Sequence, residues 1–407
     1  MKIAFITSLY APHGVGGAER TIQTLAEMLV QRGHEASVIS LAPDGRASQG
    51  ELHGVRTHYV PLANVYWPFG GTPRSTLRRA AWHVVDAYNP VMGARVGRIL
   101  DQEQPDVVQA SNLLGFSAAV WRAAAKRNIP VVQMLHDYYL ACPNSSMFKH
   151  GANCATQCGA CKVYTTPRRA LSNTPSAVIS LSRRMLDRLE SAGLFPEVER
   201  KVIIHGASSL QPRSNAPMRD AAAPLTVGYL GRMESTKGIE VLLDAALKVP
   251  DRQVRVLLGG SGTASYVDAL KARYASVDAE FIGFVKPADL FARIDLLVVP
   301  SLWEEPLGRV IYEAYAHGVP SIVANAGGMP EIVEEGRTGF VVEPGNSVAL
   351  AELLAHLASS DLPRDRFRAA CLAKSREFLV DTTIDRYLDV WRGAMTARSG
   401  VAAGAPA

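Results

Sequence analysis

A chain of 407 residues is longer than one ordinary core supports and sets an expectation of two domains. Its 48% hydrophobic and 20% charged residues exclude a disordered or fibrous protein and fit a globular enzyme. The net charge of +5 is uneven: residues 1–210 hold 22 Lys and Arg against 14 Asp and Glu, the remainder 21 against 24, so an anionic partner for the first half stands beside the plainer reading of a solvated surface.

Short apolar runs alternate with amphipathic stretches almost throughout, the pattern of a parallel sheet covered by helices. The first run, residues 3–8, leads into a glycine loop without a small-residue cleavage site and reads as a strand rather than a signal peptide. No stretch reaches the about eighteen uncharged apolar residues of a membrane span. The expected location is therefore cytoplasmic, with peripheral contact at the anionic inner face of a membrane as a further expectation. A helix follows over 18–32, with Ile22, Leu25, Met28 and Leu29 on one face. The remaining strands expected in the first half cover 36–41, 107–109, 131–135, 177–181 and 202–204. A polar, Pro- and Ala-rich stretch over 208–224 interrupts the alternation, which restarts with strands over 226–230, 254–258, 280–282, 296–299 and 321–323. The domains are thus read as 1–207 and 208–376. Residues 377–396 carry an apolar helical face of Phe378, Leu379, Ile384, Tyr387, Leu388 and Trp391, and 397–407 read as a disordered tail. Nucleic acid is set aside as a partner, because the pairs Arg78-Arg79, Arg168-Arg169 and Arg183-Arg184 lack interleaved aromatics or a binding motif.

The most informative stretch is Pro300-Ser301-Leu302-Trp303-Glu304-Glu305-Pro306-Leu307-Gly308, followed by Glu313 and Pro320. The chain leaves a strand there, turns at Pro306 and starts a helix near Gly308. The backbone N–H groups of Leu307 and Gly308 then point from a positive helix end, suited to an anion or a sugar hydroxyl. Glu313, about five residues farther on at about 1.5 Å each, lies about 7 to 8 Å up the axis, so the two carboxylates can serve two rings of one extended ligand. Upstream, Gly228 to Gly238 follows a strand and opens a helix. Arg232 can grip phosphate bidentately there and Lys237 can act as a mobile point charge. Taken singly these are a helix-start charge, a solvated helix residue and two surface cations; their joint placement after strands argues for a diphosphate site. In the first half, the loop His13-Gly14-Val15-Gly16-Gly17 lets backbone approach a ligand at Gly16 and Gly17, and His136-Asp137 ends a strand. Gly260, within Gly259 to Gly262, offers a second close backbone approach.

The Glu-x7-Glu spacing and its Glu-Pro-Leu-Gly turn resemble the signature of retaining family 4 glycosyltransferases (glycosyl transferases group 1), and the other motifs follow in family order over essentially the whole chain. The resemblance implies an α/β architecture of the GT-B type, two Rossmann-like domains facing across a cleft, with 377–396 crossing back to the first. It implies that Glu305 holds the donor sugar, Glu313 the ribose, and Arg232 and Lys237 the diphosphate. Gly16 and Gly17 would lie over diphosphate and acceptor, His136 would contact the donor sugar and reacting centre, and Phe284-Val285 would face the base. Leu307 stands where the family usually has an aromatic. Gly327-Gly328-Met329-Pro330-Glu331 also fits the family and reads chiefly as a loop. There is no Asp-x-Asp triplet to clamp a metal, so Arg232, Lys237 and helix-end amides are expected to meet the leaving-group charge without a catalytic cofactor. Retention by a front-face route is implied by the resemblance alone. The implied activity is hexosyl transfer from a nucleotide-diphosphate sugar to a glycan or lipid-linked acceptor, as in polysaccharide biosynthesis. A sugar-nucleotide epimerase of the same fold and a non-catalytic nucleotide-sugar-binding protein are the alternatives, and base, sugar and acceptor stay open.

Four of the five cysteines, Cys142, Cys154, Cys158 and Cys161, fall within twenty residues just after His136-Asp137. The Cys-x3-Cys-x2-Cys end offers closely spaced thiolates and Cys142 can close a tetrahedron, so a structural zinc that stiffens this loop is the expectation. The spacing matches neither common ferredoxin run. Disulfides in an oxidising setting and unpaired thiols in a reducing one are the alternatives.

Overall fold

The apolar runs that read as strands assemble, in the computed structural model, into two separate sheets. The structure describes residues 1–14, 16–70, 73–213, 223–249, 253–359 and 364–402. One unit is formed by Met1–Met147, Cys154–Ala207 and the chain from Thr383 onward, the other by Phe148–Asn153 and Ser208–Thr382. Residues 214–222 of the stretch read as a linker lie outside the described residues.

The chain up to Ala207 supplies β1 (Lys2–Ile6), β2 (Glu35–Ala42), β3 (Ser48–Leu52), β4 (Val55–Pro61), β5 (Val107–Ala110), β6 (Val131–Leu135), β7 (Phe148–Lys149), β8 (Ala152–Asn153), β9 (Ala177–Ser180) and β10 (Arg200–Ile203), of which β7 and β8 belong to the second unit. Eight of these make one sheet in the order β10-β9-β6-β5-β1-β2-β4-β3, parallel except for the β3–β4 pair. The central strands β5, β6 and β9 are buried along their whole length, hence their unbroken apolar look. The β3–β4 hairpin was not expected from sequence. Its edge strand Ser-Gln-Gly-Glu-Leu is largely exposed and polar, and its register is set by a His53-Gly54 turn with φ of 51° and 80°, both positive as a two-residue hairpin turn requires. The first helix spans Gly17–Gln31 and buries Ile22, Leu25, Ala26 and Leu29.

The terminal helix, Val380–Ala402, belongs from Thr383 to this unit. Its Trp391 is fully buried, donates from Nε1 to Oε1 of Gln109 at 2.9 Å, and meets the edge of Phe5 at a centroid distance of 6.0 Å. The helix runs on to Ala402, so the segment 397–402 read as tail is helical; propagating an existing helix adds one hydrogen bond per residue at little cost. Residues 403–407 lie outside the described residues.

The second unit carries β11 (Leu225–Leu230), β12 (Val254–Gly259), β13 (Ala279–Gly283), β14 (Leu296–Val299), β15 (Ser321–Ala324) and β16 (Gly339–Val342), all parallel, in the order β13-β12-β11-β14-β15-β16. Val227, Leu242, Leu258, Leu296, Val298, Ile322 and Leu354 belong to its core. The short β16 is the strand missing from the sequence reading. In both sheets the strand order reverses direction beside the first strand, between β1 and β5 and between β11 and β14. Open parallel sheets bind ligands at the carboxyl ends of such a pair. Among the described residues no helix is long and apolar enough to cross a membrane.

Candidate functional site

In the second unit, β11 and β14 are hydrogen-bonded neighbours, so the loops that leave their carboxyl ends are brought side by side. The loop after β11 passes through a single 3-10 turn, Ser235–Lys237, into Gly238 with φ of 68°. A Cβ there would stand 2.0 Å from the carbonyl oxygen of Pro300, so only glycine lets the two loops touch. The Thr236 carbonyl then accepts from the backbone N–H groups of Leu302 (3.0 Å) and Trp303 (3.2 Å).

This contact sets the position of Lys237. Its Nζ donates to Oε1 of Glu305 at 2.5 Å and lies 4.9 Å from the ring centroid of Trp303. The two side chains keep only 16% and 13% of their exposure, so the pair is well shielded from water and loss of either partner strands a charge. Glu305 is also held from behind: its carbonyl accepts from Gly328 N–H at 2.8 Å, and Gly327, with φ of 58°, leaves no room for a Cβ, which would sit 2.0 Å from that oxygen. Gly327 and Gly328, read from sequence chiefly as a loop, thus form the backing of the Glu305 turn. The β7–β8 hairpin supplies a second brace. Asn153 donates from Nδ2 to the Leu302 carbonyl at 2.8 Å and accepts at Oδ1 from Glu304 N–H at 3.0 Å.

The remaining donor-site candidates fall into two groups. Glu313 is buried in the helix Arg309–Tyr315 and is engaged by Arg309, whose Nε donates to its Oε1 at 2.7 Å. One carboxylate oxygen is therefore already occupied. Burial works against the Arg309 charge, but Tyr312 and Glu313 outweigh it and hold the guanidinium above its ordinary value. Leu307 is buried, and Gly308 caps the helix, which at seven residues is short. Arg232, by contrast, is 76% exposed and lies 3.7 Å from Glu234. Its backbone is fixed, since the Tyr229 hydroxyl donates to the Arg232 carbonyl at 2.6 Å. Beyond it, Gly260 N–H donates to the Gly283 carbonyl at 2.7 Å and Met233 N–H to the Ser261 carbonyl at 2.8 Å, joining the loops after β11, β12 and β13. Phe284 is fully presented to solvent at 86% exposure, and Val285 follows it at half-burial.

In the first unit, the glycine loop follows β1, and Gly16 caps the Gly17–Gln31 helix. The side chain of Glu19 lies over this loop: a Cβ on Gly16 would fall 2.3 Å from its Oε2. Val15 lies outside the described residues. His136 directly follows β6, is buried, and its Nε2 has no hydrogen-bond partner among the described residues. Burial drives its pKa down to about 4, so the imidazole is neutral near neutral pH. Asp137 is pushed up to about 6 by burial, against the pull of the Tyr139 N–H, which donates to its Oδ1 at 2.8 Å, and of Arg168. Beneath lies an ion pair that sequence reasoning missed. Arg168 and Asp86 are both fully buried with 2.9 Å between NH2 and Oδ2. Arg168 also donates to the Tyr139 carbonyl at 2.6 Å and covers the Tyr139 ring at 3.7 Å. The loop after His136 is therefore anchored on a charged core.

The expected zinc site is not supported. None of the five cysteines is in a disulfide, and the Cys161 thiol hydrogen-bonds with those of Cys158 and Cys142. Among the described residues no group of three or more His, Cys, Asp or Glu side chains is disposed to hold a metal. Close sequence spacing brought thiols together without the closed tetrahedron that a structural zinc requires.

The sequence model described as Glycosyltransferase Family 4 matches residues 15–207, and that described as Glycosyl transferases group 1 matches 224–360, so the two take in most of the chain. An uncharacterized 42.6 kDa protein in the cps region of Klebsiella pneumoniae is 29% identical over 82% of this chain and 87% of its own. An uncharacterized glycosyltransferase of Methanocaldococcus jannaschii is 27% identical, covering 86% and 87%. Among solved structures, Anabaena HepE in complex with UDP-glucose superposes with a TM-score of 0.69 at 25% identity, covering 96% of this chain and 100% of that one.

Proposed function

This chain belongs to the group 1 glycosyltransferases of family 4, enzymes of the GT-B fold that use nucleotide sugars, and on that premise we propose that it is a retaining, metal-independent hexosyltransferase acting on a glycan or lipid-linked acceptor. The observation that carries this reading is the shielded Lys237–Glu305 pair at the carboxyl edge of β11 and β14, 2.5 Å apart. An ammonium has three N–H donors, so Lys237 bonded to Glu305 retains capacity for a phosphate oxygen. A nucleoside diphosphate leaving group develops negative charge as the glycosidic bond breaks, and a positioned ammonium stabilises that charge most where water is excluded. Arg232 adds a second cation at the same loop. Glu305, fixed by Lys237 and braced by Gly328, orients hydroxyls of the donor sugar, and Glu313 takes the ribose with its remaining oxygen.

From the first unit, the proposed contributions are the Gly16 and Gly17 backbone and His136. A neutral imidazole can give or take a hydrogen bond with a sugar hydroxyl without adding charge beside an oxocarbenium-like centre. A uridine donor of the UDP-glucose kind is the first to test, by likeness to the protein crystallised with UDP-glucose. The basic excess of residues 1–210 favours an anionic, pyrophosphate-linked acceptor. The assay is donor turnover with and without acceptor glycans, comparing wild type with Glu305→Ala and Lys237→Ala. Each variant is expected to lose at least about tenfold in turnover, about 1.4 kcal/mol of transition-state stabilisation. Normal rates in both sink the site; release of nucleotide and an altered free sugar without acceptor points instead to an epimerase.

A further inference from the structure

The thiols that failed as a metal site have an arrangement of their own. Cys158 is exposed and occupies the N-cap of the helix Gly159–Ala170, with no side-chain capping bond. Cys161 lies one turn into that helix, half-buried, and its thiol hydrogen-bonds with both Cys158 and Cys142. Cys142 is buried at 4% exposure in the turn after Tyr138, where its N–H donates to the Tyr138 carbonyl at 2.8 Å. Exposure thus falls from Cys158 through Cys161 to Cys142, and the reading of the transfer reaction uses none of them.

Residues three apart on a helix face one another at about 5–6 Å between Cβ atoms, longer than the about 3.5–4.5 Å of a closed disulfide, and Cys158 sits at the extended N-cap, φ −70° and ψ 165°, where a change of backbone can close the gap without breaking the helix. Cys158-Gly159-Ala160-Cys161 is moreover a Cys-x-x-Cys step with its first sulfur at the positive end of a twelve-residue helix, where attacking sulfurs of reactive dithiols sit. Cys158 is the exposed thiol at the helix N-cap and Cys161 the half-buried one a turn farther on, which assigns first attack to Cys158 and makes Cys161 the second partner.

We propose that Cys158, Cys161 and Cys142 are a thiol–disulfide exchange site whose oxidant is a low-molecular-weight disulfide. The Cys158 sulfur attacks one sulfur of the small disulfide and forms a mixed disulfide with it, while the other sulfur leaves as a thiolate and takes up the proton that Cys158 gave up. Cys161 then loses its proton and attacks the Cys158 sulfur, releasing the second small thiol and closing Cys158–Cys161. The balance is two protein thiols oxidised to one disulfide and one small disulfide reduced to two thiols. Cys142 can next displace Cys158 from Cys161, which moves the bond inward to Cys142–Cys161 and returns a free thiol at Cys158. That bond would tie the loop following His136 and Asp137 to the helix Gly159–Ala170. Cys371 is an internal control, buried in the other unit with Sγ 3.7 Å from the Thr338 carbonyl.

The test uses the full chain, equilibrated over a graded series of reduced to oxidised glutathione, quenched in acid, alkylated and peptide-mapped. The wild type is expected to lose two alkylatable thiols together, with the bond mapped to Cys158–Cys161 or Cys142–Cys161 and Cys371 still alkylated. Cys161→Ser should stop at a glutathione adduct on Cys158, and Cys158→Ser should slow disulfide formation at least tenfold. The proposal is overturned if the wild type keeps every thiol across the series, forms only separate glutathione adducts, pairs through Cys154, or releases its thiols only after a chelator is added. The wild-type map decides alone should a variant fail to fold, and none of these outcomes depends on the transfer activity.

Discussion

Replacing His136 by Gln tests whether this side chain is buried in the neutral state, because its effect on stability must then change with pH. The folded pKa of about 4 lies below the unfolded value of 6.5. Above pH 6.5 neither state is protonated at this site and the histidine costs nothing electrostatically. As pH falls, the unfolded chain gains a proton that the folded chain refuses until about 4, so stability is lost through that window. At about 1.36 kcal/mol per pH unit over a displacement of 2.5 units, the loss approaches about 3 kcal/mol. Asp137 works in the opposite direction: its folded pKa of about 6 exceeds the ordinary 3.8, so it contributes stability at low pH that is lost as pH rises through 6. Between about 4 and 6 the folded chain carries its proton on Asp137 and the unfolded chain on His136. The two slopes therefore oppose each other in the wild type, and single replacements separate them. Four of the five tryptophans, Trp67, Trp82, Trp121 and Trp391, lie in the first unit, so tryptophan fluorescence during denaturation reports chiefly on the unit that holds His136. Measured against His136→Gln, the wild type should lose about 3 kcal/mol between pH 7 and pH 4; measured against Asp137→Asn, it should lose stability as pH rises from 4 to 6. A pH-independent difference between wild type and His136→Gln would refute the burial argument.

Asn153→Ala removes both braces on the Leu302–Glu304 backbone, and we expect turnover to fall about tenfold with KM for the donor rising less, since the Glu305 turn loses its register rather than its charge; unchanged kinetics would make the hairpin a bystander. Adding EDTA is expected to leave the transfer rate unaltered if Lys237 and Arg232 meet the phosphate charge, and a rate restored only by Mg²⁺ or Mn²⁺ would contradict that role. Trp391→Ala strips a fully buried indole and leaves the Gln109 amide without its partner, so the first unit should lose about 3–5 kcal/mol; a fluorescence-detected midpoint within error of wild type would show that the terminal helix contributes little.

What could be read from sequence divides along physical lines. Strands buried on both faces announce themselves as apolar runs, and a loop that follows such a run must emerge at the carboxyl edge of the sheet; Lys237 and Glu305 were legible for that reason. Edge strands such as β3, exposed and polar, carry no such mark. Arg309 and Glu313 are four residues apart on one helix, and that spacing alone announces an ion pair; assigning Glu313 to a ligand hides it. The Asp86–Arg168 pair, 82 residues apart, has no sequence signature at all, since nothing local distinguishes a charge destined for the core. Asn153 is equally silent. It sits in a two-residue strand, and its partners lie 149 and 151 positions away.

The same division explains how glycines contribute to the second-unit site without touching a ligand. Gly238 and Gly327 each lie so close to a neighbouring carbonyl, those of Pro300 and Glu305, that a Cβ would stand 2.0 Å from the oxygen. The first draws the loop after β11 onto the loop after β14, and the second draws the loop after β15 beneath it. Three strands of one sheet thereby deliver their loops as a single packed layer, and two charges separated by 68 positions in the chain meet at 2.5 Å. Holding a shielded ion pair in one geometry costs side-chain entropy and desolvation, so the pair forms only where the backbone beneath it is already fixed. The motif residues supply the charge, whereas the glycines and Asn153 supply the fixed backbone, and preorganisation of this kind is what makes a charged group effective against a developing negative charge.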